Sequence, residues 1–279
     1  MGDVTKIGWC HHTFNGWIGC APISAGCRFC YANIQSQRWR PGNDEWRRNG
    51  TRRVTSEATW RKPYKWNRDA EAAGERRRVF ASSLADVFED RRDLDEPRAR
   101  LFEEVIPATP WLDWLFLTKR TDTDHPGLIP SLVPWGDDWP TNVWLGASVE
   151  NQRSADLRIP ELLKILAKIL FLSVEPLISP VDLNPYVPLG CDCGVPASFL
   201  GHHEDSCMLV RAAVNWVIVG GESGPKRREM DVSWLRTVAD QAVAADVPVF
   251  VKQDSALREG QQGRIPDDYW SLKQFPVAA

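Results

Sequence analysis

The stretch KILFLSVEP, residues 168–176, changes character abruptly: Ile169 to Leu172 are apolar without alternation, and Ser173, Glu175 and Pro176 follow at once. A short apolar run with no polar face fits a strand buried on both sides, the pattern of a parallel sheet. The same signature recurs along the chain in RVFASSLAD (78–86), WLFLTKR (114–120), VWLGASVEN (143–151), NWVIVGGESG (215–224) and PVFVKQDS (248–255). Helical patterns lie between these runs, in EPRARLFEEVIPA (96–108), IPELLKILAKI (159–169) and VSWLRTVADQAVAA (232–245). TFNGWIGC (13–20) offers one earlier strand. Alternating strands and helices predict an α/β fold. We expect a full or partial (β/α) barrel of about six to seven parallel strands, with an open doubly wound sheet as the second arrangement.

Each run ends in groups able to do chemistry: Ser82, Ser83 and Asp86; Thr118, Lys119 and Arg120; Ser148, Glu150 and Asn151; Ser173 and Glu175; Glu222 and Ser223; Lys252 and Gln253. A polar residue after a strand is often a helix cap. In a parallel barrel, however, all carboxyl ends open on one side, so these residues are expected to ring a shared mouth. GGESGPK (220–226) lacks the spacing of a phosphate-binding P-loop. It reads instead as a glycine turn that admits close approach.

The 279 residues carry 43% hydrophobic and 25% charged residues and a net charge of −3, the balance of a soluble globular protein. The expectation is a single domain over 1–279, with insertions at 38–78 and 185–212. The first residues, MGDVTKIGWC, show no basic region before an apolar run. The most apolar window, ELLKILAKILFLSVEPLI, is interrupted by Lys164 and Lys168. No membrane partner is expected, and the compartment is read as cytoplasmic. Residues 38–78 hold 13 Arg and Lys against 6 Asp and Glu, interleaved with Trp39, Trp46, Trp60, Tyr64 and Trp66. That mixture suits a phosphate backbone with stacked bases. It equally suits an arginine-rich face over buried tryptophans.

Seven cysteines in a reducing compartment point to metal or chemistry rather than disulfides. WIGCAPISAGCRFCYA (17–32) sets Cys20, Cys27 and Cys30 in a C-x6-C-x2-C pattern. Three thiols fall one short of a closed zinc site, which Cys10, His11 or His12 could complete. Three thiolates also suit a [4Fe–4S] cluster with one open iron. Further on, CDCGVPASFLGHHEDSC (191–207) supplies Cys191, Cys193 and Cys207 with His203, slightly ahead of His202, as a candidate structural zinc set. An auxiliary iron–sulfur cluster and a loop of free cysteines are the other readings there. Cys10 is expected to be a buried thiol.

FNGWIGCAPISAGCRFCYA, VFASSLADVFED, WLFLTKR, WLGASVENQ, FLSVEPLI, WVIVGGESG and VFVKQ occur in this order between residues 7 and 255. In this the chain resembles the phage-associated three-Cys-motif family of radical-SAM-like proteins. The resemblance implies that Cys20, Cys27 and Cys30 bind a [4Fe–4S] cluster, with S-adenosylmethionine (SAM) on the fourth iron. One-electron reduction would then cleave SAM to a 5′-deoxyadenosyl radical. Tyr31 would lie near the adenine, and Ser82, Ser83 and Asp86 near the amino acid end of SAM. Thr118, Lys119, Ser148 and Glu150 join the expected cofactor-binding set; Lys119, Arg120 and Lys252 could pair with a carboxylate or phosphate, or with Glu150 and Glu175. Glu222, Lys252 and Glu175 are the expected catalytic residues.

Two features depart from the common radical SAM pattern. The first cysteine gap holds six residues instead of three, and Gly220-Gly221-Glu222 follows the sixth recognised strand instead of the second. The expected substrate is a nucleotide or nucleic acid base, with a reductant for the cluster and a separate partner protein as further candidates. The competing class is a zinc-stabilised nucleic-acid-binding protein without catalysis.

Overall fold

A computed structural model describes residues 5–121, 125–187 and 214–277. Its strands are β1 (His12–Phe14), β2 (Trp17–Ile18), β3 (Arg53–Val54), β4 (Arg77–Ala81), β5 (Leu112–Thr118), β6 (Val143–Ser148), β7 (Ile169–Val174), β8 (Trp216–Gly220) and β9 (Val249–Gln253). The helices are α1 (Tyr31–Trp39), α2 (Glu57–Trp60), α3 (Lys62–Ala73), α4 (Asp95–Ala99), α5 (Leu128–Leu132), α6 (Gln152–Leu162), α7 (Val232–Ala244) and α8 (Asp267–Trp270). Strand order in the main sheet is β1-β4-β5-β6-β7-β8-β9, and every neighbouring pair is parallel. β2 and β3 form a separate antiparallel pair.

That order never reverses. A doubly wound sheet needs a reversal, because its helices must reach both faces. Here right-handed crossovers place the helices on one face, and the seven strands curl into a half-barrel. The two buried clusters show the division. Trp66 and Ala70 of α3, Ile159 and Leu162 of α6, and Leu235 and Val238 of α7 pack with the outward residues of the strands. Phe80, Leu115, Trp144, Phe171, Trp216, Ile218 and Phe250 face inward as a second cluster.

Among the described residues, no helix packs on that inner face. Trp9 enters from the N-terminal segment, 4.7 Å from Phe80 between ring centres, and Phe275 enters from the C-terminal segment, 5.6 Å from Trp216. The tail is fixed further by Trp216 Nε1, which donates to the Gln274 carbonyl at 3.0 Å. Both chain ends therefore plug the floor of the half-barrel with aromatic rings.

The basic segment does more than the expected outer face. α3 forms part of the crossover from β1 to β4, with Pro63 near its start and Gly74 as a left-handed cap at its end. Trp46, Trp60 and Trp66 are buried, so they offer no surface to a nucleic acid base. Trp39 is 54% exposed and retains that capacity. The helix expected at 159–169 begins earlier, at Gln152, because Asn151 and Ser154 form a reciprocal capping box. It ends at Leu162, and residues 163–168 turn into β7. The helix expected at 232–245 matches α7.

Candidate active site

Side chains alternate across a strand, so the inward phase of each strand can be followed to its carboxyl end. On β7 the inward phase runs Ile169, Phe171, Ser173; on β9 it runs Phe250, Lys252; on β6 it runs Trp144, Gly146, Ser148. The inner face is aromatic at the floor and polar at the mouth. A cavity of about 150 Å³ opens there. Ser148, Ser173, Glu175, Glu222, Lys252 and Lys119 line it together with Trp9, Phe29, Tyr31, Phe80 and Cys30.

Inside the cavity, Lys252 Nζ lies 3.1 Å from Glu175 Oε1, and Ser173 Oγ donates to Glu175 Oε2 at 3.3 Å. Gly220 makes this placement feasible. A Cβ at that position would come within 2.8 Å of Glu175 Oε1, so a glycine at the end of β8 is what lets the carboxylate turn inward. Ser82 Oγ is buried without a hydrogen-bond partner.

The loop after β2 carries the cysteines. Its backbone forms a tight turn over Ala25–Cys27, in which the Cys27 N–H bonds the Ser24 carbonyl and the Cys30 N–H bonds the Cys27 carbonyl. Three carboxylates that follow alternate strands, β4, β6 and β8, hold the loop to the mouth. Glu89 accepts from the Ala21 N–H at 3.1 Å, and Glu150 accepts from the Gly26 N–H at 3.4 Å. Glu222 acts through Arg228, which it binds at 2.6 Å and which donates to the Ala25 carbonyl at 3.0 Å. Each carboxylate has a guanidinium partner: Arg52 holds Glu89 through two contacts of 2.7 and 2.8 Å, and Arg158 holds Glu150 at 2.7 Å. Gly26 is constrained by its neighbours, since a Cβ would sit 3.1 Å from the Glu150 carboxyl carbon.

Burial pushes the Glu150 carboxyl up, but Arg158 and Lys119 beside it, with hydrogen bonds from Ser24 and Arg158, hold it below the usual carboxylate range. Burial dominates at Cys20 and Cys30. It pushes the Cys20 thiol up to about 12 against the opposing pull of Arg120 and raises Cys30 against Lys119. Cys20, Cys27 and Cys30 are free thiols.

The donor set fits an iron–sulfur cluster. Three unlinked thiols sit on one pinned loop, Cys30 lines the cavity, and cations stand beside Cys20 and Cys30 to offset an anionic group. Among the described residues, no three His, Cys, Asp or Glu side chains converge as one metal ion would require. The candidate zinc set Cys191, Cys193, His203 and Cys207 lies outside the described residues.

The structure brings together Tyr31, Lys119, Ser148, Glu175, Glu222 and Lys252 around one cavity. Ser83, Asp86, Thr118 and Glu150 are engaged in the surrounding framework. Thr118 is in the outward phase of β5 and donates to Asp86 at 2.8 Å. Asp86 also accepts from the Lys119 and Phe88 backbone. Ser83 accepts from Asn15 through its hydroxyl and from the Tyr31 hydroxyl through its carbonyl, the latter at 2.7 Å. Tyr31 is thereby fixed at the rim. The sequence reading missed Glu89, Arg52, Arg158 and Arg228. Each is an ordinary charged residue in its local context, and only the pairing of distant segments gives it a role.

No helix among the described residues is long and apolar enough to cross a membrane. No curated protein matches the sequence. A solved structure similar to this chain is "Spore photoproduct lyase complexed with dinucleoside spore photoproduct", with 17% identity and a TM-score of 0.41. The similarity covers 81% of this chain and 58% of the length of that one. A family model described as "Protein of unknown function (DUF5131)" matches residues 4–267, and the chain belongs to that family.

Proposed function

We propose that this chain is a radical SAM enzyme whose Cys20, Cys27 and Cys30 hold a [4Fe–4S] cluster, and that its cavity takes SAM and a nucleotide or nucleic acid base. The observation that carries the reading is the three-thiol loop, pinned by strand-end carboxylates over a cavity lined by aromatic rings and by the Lys252–Glu175 ion pair. The chemistry such a cluster supplies with SAM is one-electron cleavage to a carbon radical that abstracts hydrogen.

The chain's own residues then position and protect. Glu89, Glu150 and Glu222 fix the loop that carries the thiols at the mouth. Phe29 and Tyr31 at the rim, with Trp9 and Phe80 deeper in, supply flat apolar surface for planar rings and exclude water. Lys119 and Ser148 offer hydrogen-bond donors to anionic or hydroxyl groups of a cofactor. Lys252 and Glu175 form an ion pair in the cavity and offer a donor and an acceptor to a substrate there. A small reductant or an electron-carrying partner is required to charge the cluster.

Anaerobic reconstitution followed by electron paramagnetic resonance of the reduced protein tests the reading. The expected result is a [4Fe–4S] signal that changes on adding SAM and vanishes in the Cys20/Cys27/Cys30 triple alanine variant, with 5′-deoxyadenosine formed in the same samples. A protein that takes zinc and never iron would overturn it in favour of a non-catalytic nucleic-acid-binding protein.

A further inference from the structure

Arg120 donates to a cysteine sulfur at the mouth. It follows β5, is 13% exposed in its side chain, and reaches across to the cysteine loop. Its Nη2 lies 3.7 Å from Cys20 Sγ and donates to the Ala21 carbonyl at 3.0 Å. Asp86 at 3.4 Å and Glu89 at 3.6 Å partly balance its charge. Its Nε is buried and faces Asp86 Oδ2 at that 3.4 Å without making a hydrogen bond. Glu89 is already committed to Arg52 through both oxygens and to the Ala21 N–H. Asp86 is committed to Thr118 and to backbone N–H groups. Arg120 therefore keeps positive charge directed at sulfur in a largely water-excluded setting, where such charge is screened least.

Resting on the radical SAM reading above, we infer that Arg120 sets the reduction potential of the cluster by donating to the Cys20 sulfur, with Asp86 moderating its charge. Reduction adds one negative charge to the cluster. A guanidinium within reach of a ligating sulfur stabilises that added charge and so raises the potential. Hydrogen bonds to the sulfurs and nearby net charge are among the means by which proteins tune such clusters. Asp86 works in the opposite sense. Arg120 is thus a positioning and tuning residue that acts through Cys20.

Redox titration of the reconstituted full chain, followed by electron paramagnetic resonance and by iron content, tests this. Arg120→Gln should lower the ratio of reduced to oxidised cluster about tenfold at a fixed applied potential, a shift of about 59 mV for a one-electron couple. Arg120→Lys, which keeps the charge, should recover most of the loss. Asp86→Asn should move the potential the other way. A merely structural role would reduce iron content in these variants without shifts of opposite sign. If Arg120→Gln fails to load iron, Asp86→Asn decides: a raised potential supports the inference and an unchanged one overturns it. A wild-type chain that never holds iron overturns both the enzyme reading and this inference. A chain that holds iron at a potential indifferent to Arg120 and Asp86 overturns the inference alone.

Discussion

The floor and the mouth of the half-barrel are built on the same inward phase of the same strands, yet they hold opposite kinds of side chain. At the floor, Trp144, Phe171, Trp216 and Phe250 pack with Trp9 and Phe275 from the two chain ends. At the mouth, Ser148, Ser173 and Lys252 take the equivalent inward places. Stability concentrates where rings are buried, and chemistry concentrates where the strands end in donors and charges. The mouth contains a second division. Glu175 faces the cavity, while Glu89, Glu150 and Glu222 are spent on holding the cysteine loop.

The largest effect is expected at the floor. Trp216→Ala removes a fully buried ring that touches Trp9, Trp144, Phe171 and Phe275, and should cost about 3–5 kcal/mol in urea unfolding. A cost near that of a surface substitution would show the floor to be malleable and would break the comparison.

Glu150→Gln comes next. It leaves the buried Arg158 without its charge partner, for a cost of about 3 kcal/mol at neutral pH. The Glu150 carboxyl is held below its usual range in the folded protein, so its contribution is complete above the unfolded value of about 4.3 and is lost as pH falls through the depressed folded value. Unfolding curves of wild type and variant should therefore converge at acidic pH. Parallel curves down to the lowest accessible pH would show that the carboxylate's charge is not what stabilises the clamp.

Arg228→Met sharpens the division within the mouth. The pair with Glu222 is partly exposed, so stability should fall by about 1 kcal/mol or less. The link to the Ala25 carbonyl is lost with it, and iron retained after reconstitution and desalting should fall at least twofold. Unchanged iron retention would mean that Glu89 and Glu150 suffice to hold the loop.

The smallest effect is expected at Trp39, which lies outside both regions. Trp39→Ala should leave stability within about 0.5 kcal/mol of wild type. If the basic segment stacks a base, the same change should weaken single-stranded oligonucleotide binding by about 1–3 kcal/mol in a fluorescence titration. Unaltered binding would confine base recognition to the cavity.

The sequence by itself determined the class of the fold. Runs such as ILFLSV and WVIVG, apolar on both faces, can be satisfied only between other strands and a cover of helices, so their number and spacing specify a parallel α/β sheet. It also located the mouth, because the residues that end those runs must share one side. The three cysteines were visible as a cluster of uncommon reactive groups at close spacing.

What the tertiary structure decided was the direction and employment of each side chain. Thr118 and Ser148 end neighbouring strands with similar local sequence, but strand phase turns one outward to Asp86 and the other into the cavity. Trp60 of α2 and Trp66 of α3 sit among arginines in the sequence and at the core of the fold, because each of these helices buries one face against the sheet. Glu89 and Arg52 carry no local signal at all. Their roles arise from electrostatic pairing between segments distant in sequence, which local pattern does not encode and which only the closed chain brings within hydrogen-bond range.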